Sequence, residues 1–341
     1  MKVSVLDLGN VAPGTTETEG LADALDTARA ADAMGFHRIW FAEHHLSRGN
    51  ASHHPELLIA AAMMQTTGIR LGSGAVLMNH YSPFKVAEMF QQLEAMAPAR
   101  IDLGIGRAPG GGPIVDLAMR RDRQSSHRDD YTQQVLEVLA WLHGAFPDEH
   151  AFAGTPLMKS VATVPQTWML GSSPSGGGLA ASLGMGYTFA GFINPDHAVT
   201  ALQSYRSQFQ PQPFGLHEPR AILGVNVTVA DTTAEARRRV SSGFGLYARA
   251  AIDPTNATIP SIDAATRELS QAALDEPTTI VGGRWPRFVA GNPAEVRATL
   301  DEMLEATGAD ELIVQEMIAD PKDRRHSHEL IAEMFDLTPR T

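Results

Sequence analysis

The amino-acid sequence predicts an α/β fold, a TIM-type (β/α)8 barrel with irregular excursions. Short apolar or β-branched runs alternate with longer segments of helical periodicity, which is typical of βα units repeated around a parallel sheet. Apolar residues make up 43% of the 341 positions, which is enough for a large core. The eight candidate strands, the number that closes such a barrel, are 3–9, 37–42, 69–77, 100–105, 166–171, 187–191, 220–229 and 311–316.

Between the candidate strands, apolar residues recur at helical spacing, and glycines mark several helix ends. Gly35, Gly184 and Gly308 each follow a periodic segment at the position where a left-handed residue ends a helix. The candidate helices are 18–34, 55–66, 84–97, 125–143, 175–184, 196–209, 232–250, 292–306 and 324–336.

Two stretches interrupt the alternation of strands and helices. Residues 144–165 contain several prolines and glycines with little periodicity, and we interpret them as an irregular excursion at the barrel edge. Residues 251–290, with one possible helix near 262–274, are long enough to predict a mobile flap. No linker, repeat or low-complexity tract indicates a second domain, so 1–341 is predicted to be a single domain.

Composition favours small molecules as partners. The 27 basic and 39 acidic residues give a net charge of -12, which offers no general attraction for nucleic acid or an anionic membrane. The cysteine count of zero excludes a disulfide framework, a thiolate nucleophile and a thiolate metal site. The apolar segment at the start of the sequence is too short and too acidic for a signal peptide. No apolar stretch is long enough to span a bilayer. We therefore expect a cytoplasmic protein.

The segment 55–66 is apolar almost all round, which is unusual for a helix on the outside of a barrel. A second copy of the chain, packed across a two-fold axis through the small alanine faces, would cover it. Burial under the excursion loops of the same chain explains the pattern equally well. A homodimer is therefore one of two interpretations that the residues leave open.

The most informative feature is the run Trp40-Phe41-Ala42-Glu43-His44-His45, an apolar strand that ends in three titratable groups. Barrel enzymes place catalytic groups at the carboxyl ends of strands, and imidazole suits acid or base work near neutral pH. Neighbouring side chains on a strand point to opposite faces, so one histidine can face the mouth while the other packs or supports it. Glu43 can fix a tautomer by accepting a ring proton. A satisfied structural histidine is the competing interpretation.

His53, His54 and His80 invite a metal site, but their spacing argues against one. None of the three belongs to a His-x-His or a His-Glu-x-x-His pattern. We interpret these three residues as loop or supporting histidines and predict no metal.

Glycines at the ends of the third and fourth candidate strands can admit a flat ring. Gly72 and Gly74 favour close approach of a ligand or another backbone, although a simple strand irregularity is the alternative. Gly104 and Gly106 lack the third glycine of a dinucleotide fingerprint, so no nicotinamide site is predicted. Arg107 follows them as a fork for a phosphate or an anionic ring edge, or as a solvated loop arginine.

The run from Leu170 to Gly178 passes from the fifth strand into a helix. Serine hydroxyls, free amides and the positive end of the helix make an anion cradle, and glycines let a phosphate approach the backbone. A plain capped turn is the alternative. General barrel rules place phosphate after the seventh and eighth strands, so this position departs from them.

Several motifs in the same order resemble the bacterial luciferase-like flavin monooxygenases, in particular their group 1 oxidoreductases. The resemblance rests on Leu6-Asp7-Leu8, the run that ends at His45, Leu71-Gly72-Ser73-Gly74, Arg100 to Gly110, Leu170-Gly171-Ser172-Ser173, Ala309 to Val314, and His326-Ser327. It therefore runs along nearly the whole chain.

The resemblance implies a dimeric barrel that binds reduced FMN and oxidises a small organic substrate with O2 through a flavin C4a-hydroperoxide. Because no nicotinamide site is predicted, we expect a separate reductase to supply the reduced flavin. It places His44 beside the isoalloxazine, with Glu43 and His45 in support, and implies a cis peptide between Gly74 and Ala75 under the ring. The residues that it assigns to the cofactor are Gly74, Ala75, Gly106, Arg107, Leu170, Gly171, Ser172, Ser173, Ser175, Gly176 and Gly177.

Two positions depart from the luciferase pattern. Gly106 stands where luciferase α-chains tend to have a reactive cysteine, and Ser172 stands where they have an acid, so light emission is not expected. Three alternatives remain open: an F420-dependent oxidoreductase on the same fold, a catalytically weak flavin-binding protein, and a metal-dependent barrel hydrolase that uses the histidines.

Overall fold

Eight parallel strands close a barrel, which confirms the predicted fold class. The computed structural model describes residues 1–119 and 130–340. Its strands are β1 (Lys2–Asp7), β2 (Arg38–Phe41), β3 (Arg70–Ser73), β4 (Val76–Leu77), β5 (Ile101–Gly106), β6 (Gln166–Gly171), β7 (Gly186–Ala190), β8 (Ala221–Val229), β9 (Phe288–Gly291) and β10 (Glu311–Gln315). The order is β1-β2-β3-β5-β6-β7-β8-β10, and β10 pairs with both β8 and β1 to close the ring.

Helices follow most strands and pack around the barrel. They are α1 (Glu17–Met34), α2 (Pro55–Met63), α3 (Pro83–Met96), α4 (Pro113–Met119), α5 (Tyr131–His143), α6 (Pro174–Ser182), α7 (Ala198–Gln208), α8 (Thr233–Ile252), α9 (Ile262–Glu268), α10 (Gln271–Leu274), α11 (Pro293–Thr307) and α12 (Pro321–Met334), with short 3-10 turns at Met78–His80 and Pro195–His197. The start of the candidate helix 125–143 lies outside the described residues, and its described part forms α5.

Local sequence signals account for several helix ends. A capping box between Thr16 and Glu19 starts α1, and Gly35 ends it in the left-handed conformation. Gly308 ends α11 in the same way, and Gly184 is also left-handed, although it lies two residues beyond the end of α6. Because glycine adopts a left-handed backbone without strain, these positions could be predicted from sequence.

Four differences from the predicted elements are present. The candidate strand 69–77 is two strands, β3 and β4, separated at Gly74–Ala75, whose peptide bond is cis as expected. The candidate helix 262–274 is two helices, because Ser270 caps a new one by accepting a hydrogen bond from the amide of Ala273. Two short elements, β9 and α4, were not predicted, because four to seven residues carry too little periodicity.

The irregular segments also have a definite course. Residues 144–165 contain neither helix nor strand. The segment 251–290 carries α9 and α10 and enters β9, which pairs with the end of β8 outside the closed ring. Whether this segment moves stays a prediction.

Alternation along the strands separates two apolar clusters. Ile39 and Phe41 belong to the cluster between the barrel and its helices, whereas Trp40 packs with Leu6 and Trp168 in the barrel interior. Successive residues of a strand face opposite sides, so this parity continues to the strand ends. In β2 this alternation holds as far as Phe41, where the strand ends.

A buried ionic layer occupies the base of the barrel, at the amino-terminal ends of the strands. The guanidinium of Arg38 donates to Asp102 at 2.6 Å and to Glu311 at 2.7 Å, and Trp40 Nε1 donates to Asp102 at 3.0 Å. Although burial opposes ionisation, Arg38 and Arg70 keep the pKa of Asp102 below its ordinary value. The carboxyl ends of the strands lie at the opposite end of the barrel, which is its mouth. Over the two described ranges, no helix is both long and apolar enough to cross a bilayer.

Candidate functional site

The predicted site residues lie on neighbouring strands at the mouth of the barrel. His44 follows β2, Ala75 lies between β3 and β4, Arg107 follows β5 and Ser172 follows β6. These strands are adjacent in the sheet and parallel, so their carboxyl ends form one continuous arc of the rim. The structure therefore brings the histidine, the glycines and the serine turn to the same end of the molecule.

His44 is held by its backbone while part of its ring lacks a partner. Its amide donates to the carbonyl of Ser52 at 3.0 Å, and its carbonyl lies 2.6 Å from Nδ1 of His53. Its own Nδ1 is buried and has no hydrogen-bond partner among the described residues. Burial, reinforced by His45 and His53, lowers the pKa of His44 to about 4. The ring is therefore neutral at pH 7, with a buried nitrogen that a ligand can satisfy.

Glu43 is buried just beyond the end of β2 and contacts three groups. Its Oε1 lies 2.7 Å from His45 Nε2 and accepts from the Tyr81 hydroxyl at 2.9 Å, while Oε2 accepts from the Leu77 amide at 3.1 Å. Burial raises the pKa of Glu43 to about 7, against the opposing effect of the hydrogen bonds from Leu77 and Tyr81. The imidazole that Glu43 orients is thus that of His45, and Glu43 also ties the end of β2 to β4.

His45 lies at the centre of an imidazole cluster. The centroid of its ring lies 6.5 Å from that of the stacked His53 ring. It lies 5.9 Å from the centroids of the His54 and His80 rings, which pack against it edge to face. Burial, followed by the charges of His54 and His53, lowers the pKa of His45. Within residues 1–119 and 130–340, no group of three or more His, Cys, Asp or Glu side chains is arranged to hold a metal ion.

Glycines leave bare backbone along the β3–β5 side of the mouth. A Cβ at Gly74 would lie 2.7 Å from Leu6 Cδ1, and a Cβ at Gly106 would lie 3.1 Å from the Cβ of Ala75. Any side chain there would displace its neighbours. The glycines therefore let β3, β4 and β5 pack closely, and they place no side chain of their own on this wall.

The turn into α6 has the features of an anion cradle. Ser173 is the N-cap residue, but its side chain does not cap the helix; its Oγ lies 2.9 Å from that of Ser175. Tyr187 donates to the carbonyl of Ser173 at 2.9 Å, and Asn194 donates to the carbonyl of Ser172 at 3.2 Å. Because these two carbonyl oxygens accept hydrogen bonds from other side chains, the groups that remain exposed at the turn are the serine hydroxyls and the first amides of α6. Both can donate to an anion.

The remaining predicted residues border this turn. Gly171 and Gly176 lie beside the Tyr187 ring, since a Cβ at either position would be 3.5–3.6 Å from that side chain. Arg107 is exposed on the neighbouring strand end; its guanidinium lies 5.9 Å from the Tyr131 ring centroid, and its carbonyl accepts from Asn79 at 3.0 Å.

Three supporting residues were not predicted from sequence: Tyr81, Tyr187 and Asn194. Each contacts a residue at least 14 positions away, so no local pattern reveals its partner. The one available signal was chemical, since a tyrosine within an apolar strand such as β7 needs a partner for its hydroxyl.

Comparison with known proteins gives consistent matches along the chain. A family model for luciferase-like monooxygenases matches residues 1–311. A luciferase-like monooxygenase of Escherichia coli is 34% identical over 97% of this chain and 96% of its own. The N-acetyl-S-alkylcysteine monooxygenase of Bacillus subtilis is 30% identical over 98% of both chains.

Solved structures agree with the fold. The crystal structure of apo-MsnO8 has a TM-score of 0.88 at 40% identity and covers 99% of both chains. Two more distant structures share the fold: the oxygenating constituent of 3,6-diketocamphane monooxygenase from Pseudomonas putida with FMN, at TM-score 0.70 and 22% identity, and an F420-dependent secondary alcohol dehydrogenase, at 0.66 and 12%; each comparison covers 98% of both chains. The chain is therefore an oxidoreductase that belongs to the luciferase-like monooxygenase family.

Proposed function

We propose that this protein is a flavin-dependent monooxygenase that takes reduced FMN from a separate reductase and uses O2 to oxidise a small organic substrate. The observation that carries the proposal is the shared rim: the uncapped serine turn of α6 and the unpartnered Nδ1 of His44 lie at the same mouth. A phosphorylated planar cofactor meets both requirements, an anion at one end and a polar ring edge at the other.

The residues present fit FMN on features of this chain. Ser173, Ser175 and the first amides of α6 would bind the phosphate, and Arg107 adds a positive charge on the neighbouring strand end. Leu170 and Gly171 lead into that turn, and Gly176 and Gly177 pack closely against the Tyr187 ring that supports it. Gly74, Ala75 and Gly106 would lie against the ring. When bound, reduced flavin supplies the electrons that activate dioxygen.

His44 is the candidate catalytic residue, with Glu43 and His45 as positioning residues. Because the pKa of His44 is lowered to about 4, its ring is neutral at pH 7 and presents one N–H donor and one unprotonated nitrogen. Glu43 keeps the end of β2 and the β4 backbone together through Leu77, so it fixes His44 relative to the Gly74–Ala75 wall.

We further propose that 251–290 shields the site from water. Its Thr255 carbonyl accepts from the amide of Arg48, and a Cβ at Gly112 would lie 3.6 Å from the Thr255 hydroxyl, so the segment borders loops after β2 and β5. Amide hydrogen exchange should slow across 255–275 when FMN is added. Identical exchange with and without FMN would contradict this role.

A homodimer is the proposed assembly. Leu57, Ala61 and Met64 recur at helical spacing on α2 and its end, and Leu57 and Met64 are 66% and 77% exposed. A second copy would remove these side chains from water.

We place the reaction in the cytoplasm, consistent with a chain without cysteine, and cell fractionation checks this.

The proposed function is tested by supplying the protein with reduced FMN from a purified NADH-dependent flavin reductase. We expect O2 consumption that depends on this protein, together with binding of FMN and no binding of F420. Binding of F420 with hydride transfer and no O2 uptake would replace the monooxygenase by the F420-dependent alternative. Flavin binding without O2 chemistry would favour the weakly active flavin-binding protein.

A further inference from the structure

A cavity lies at the mouth end, and its lining differs from the residues of the proposed flavin site. It has a volume of about 650 Å³ and lies between the loop that joins β1 to α1, residue Arg48 after β2, and residues 258–264 of the flap segment. Cavities of this size hold small organic molecules. None of the residues assigned above to the cofactor lines it, so its ligand is a different molecule or a different part of one.

Arg48 supplies a cation with no fixed partner. Its backbone amide donates to the carbonyl of Thr255, but its exposed guanidinium makes no hydrogen bond or ion pair with any residue in the described ranges. Hydrogen bonds from Asn256 and Thr255 lower the pKa of Asp253, and the charge of Arg48 makes a smaller contribution in the same direction. The guanidinium thus borders the cavity with its donors available.

Arg249 supplies a second cation, which is held rigidly. Its Nε and Nη2 donate to the two carboxylate oxygens of Glu268 at 2.8 and 2.6 Å, and its Nη1 donates to the carbonyl and hydroxyl of Thr258 at 3.1 Å. This clamp fixes residues 258 and 268 against α8. It gives one wall of the cavity a defined shape before any ligand arrives.

The rest of the lining is apolar with one available hydroxyl. Val11, Ile259 and Pro260 form apolar surface, and Ile259 is almost fully buried. Ser261 accepts the amide of Ala264 through its Oγ, so its own O–H remains free to donate. Glu17 is the acid among the lining residues. Because Glu268 already balances the charge of Arg249, Arg48 is the lining cation that an anion can meet.

We propose that this cavity binds the carboxylate of an organic acid with a short apolar body, through Arg48 and the Ser261 hydroxyl. That such an acid is the substrate class rests on the proposed function, because the cavity opens at the same end as the flavin site. The binding itself does not depend on flavin. A carboxylate takes the fork of Arg48, and the apolar body lies on Val11 and Ile259.

Calorimetric titration of the flavin-free protein with octanoate, 1-octanol and acetate tests the proposal. Octanoate should bind one per chain and more tightly than either 1-octanol or acetate. Arg48→Gln should weaken octanoate about tenfold and leave 1-octanol unchanged, as loss of a charge-assisted hydrogen bond predicts. Arg237→Gln, at an exposed position on α8 outside the cavity, should change neither. Ala264→Phe, which fills the cavity, should abolish octanoate binding.

Thermal unfolding of each variant shows that it is folded before it is titrated. Octanoate that binds no tighter than 1-octanol, or equally to wild type and Arg48→Gln, would overturn the proposal. Octanoate binding that is retained in Ala264→Phe would place the ligand elsewhere and overturn it as well. Because these titrations contain no flavin, a failure to bind FMN would refute the proposed function without affecting this result.

Discussion

The Glu43 carboxylate lies 2.7 Å from Nε2 of His45, so this acid just beyond β2 orients the second of two adjacent histidines. His44, one residue earlier, keeps a buried Nδ1 without a partner among the described residues. The two adjacent histidines therefore have different surroundings. We assign support to His45 and chemistry to His44.

The first prediction concerns the pH dependence of stability. Burial raises the pKa of Glu43 from 4.5 to about 7, so between these values the folded state binds a proton that the unfolded state releases. The contribution of Glu43 to the free energy of unfolding therefore falls as pH rises from about 4.5 to about 7. Glu43→Gln should gain stability relative to wild type across that interval, by up to about 3 kcal/mol.

Urea unfolding of both proteins at several pH values measures this difference. His44 acts in the opposite direction, because its pKa of about 4 makes the folded state bind fewer protons than the unfolded state up to about pH 6.5. That effect is common to both proteins and cancels in the comparison. A stability difference that stays constant between pH 4.5 and 7 would contradict the assignment.

The second prediction separates chemistry from binding at His44. His44→Ala should lower the rate of product formation by about 100-fold or more, as loss of a general acid or base does. Affinity for FMN should remain within about threefold, because the serine turn and the glycines are unchanged. His326→Ala, at an exposed position on α12, is the matched control and should retain full activity. A fully active His44→Ala would refute the catalytic role.

The third prediction compares adjacent glycines of α6. A Cβ at Gly177 would lie 3.1 Å from Cε1 of Tyr187, whose hydroxyl holds the carbonyl of Ser173, so Gly177→Ala should loosen the turn. We expect a loss of about 1 kcal/mol in stability and several-fold weaker FMN binding. A Cβ at Gly178 would have no neighbouring atom within 4 Å, so Gly178→Ala should stabilise α6 by about 0.5–1 kcal/mol.

FMN affinity of Gly178→Ala should match wild type. Chemical unfolding and fluorescence titration with FMN give the two quantities for each variant. Equal effects of the two substitutions on FMN affinity would show that the Tyr187 contact does not shape the turn.

The fourth prediction tests the assembly. Leu57→Glu places a charge on the exposed apolar face of α2 and should weaken the dimer. The variant should therefore dissociate at a higher protein concentration than the wild-type dimer does. Leu21→Glu, on α1, changes a leucine that is 38% exposed and should leave the dimer intact. Light scattering after size exclusion measures both. A monomeric wild-type protein, or a Leu57→Glu variant that stays dimeric, would contradict this interface.

Local sequence patterns predicted most of the strands and helices. What they could not predict are contacts between residues that lie far apart in the sequence. The run ending at His45 predicted a strand with titratable groups at its carboxyl end, and β2 ends at Phe41 with Glu43 and His44 just beyond it. Gly35 and Gly308 predicted helix ends because only the local backbone is involved.

The ionic layer at the base had no such signal. Arg38 contacts partners 64 and 273 residues away, and no sequence window contains such a pair. The cavity bordered by Arg48 was missed for the same reason, since three segments far apart in sequence form its walls. Of the site itself, the strand-end residues were predictable, whereas their supports Tyr81 and Tyr187 required the fold.

The most direct test of the account is the contribution of the phosphate to flavin binding. Titration of the wild-type protein with reduced FMN and with reduced riboflavin gives the ratio of their dissociation constants. We predict that FMN binds at least about tenfold more tightly and that the ratio falls toward one in a Ser173→Ala, Ser175→Ala double variant, as loss of hydrogen bonds to a charged group requires. Equal affinities for the two flavins, or a ratio that the double variant leaves unchanged, would contradict a cofactor anchored at the serine turn.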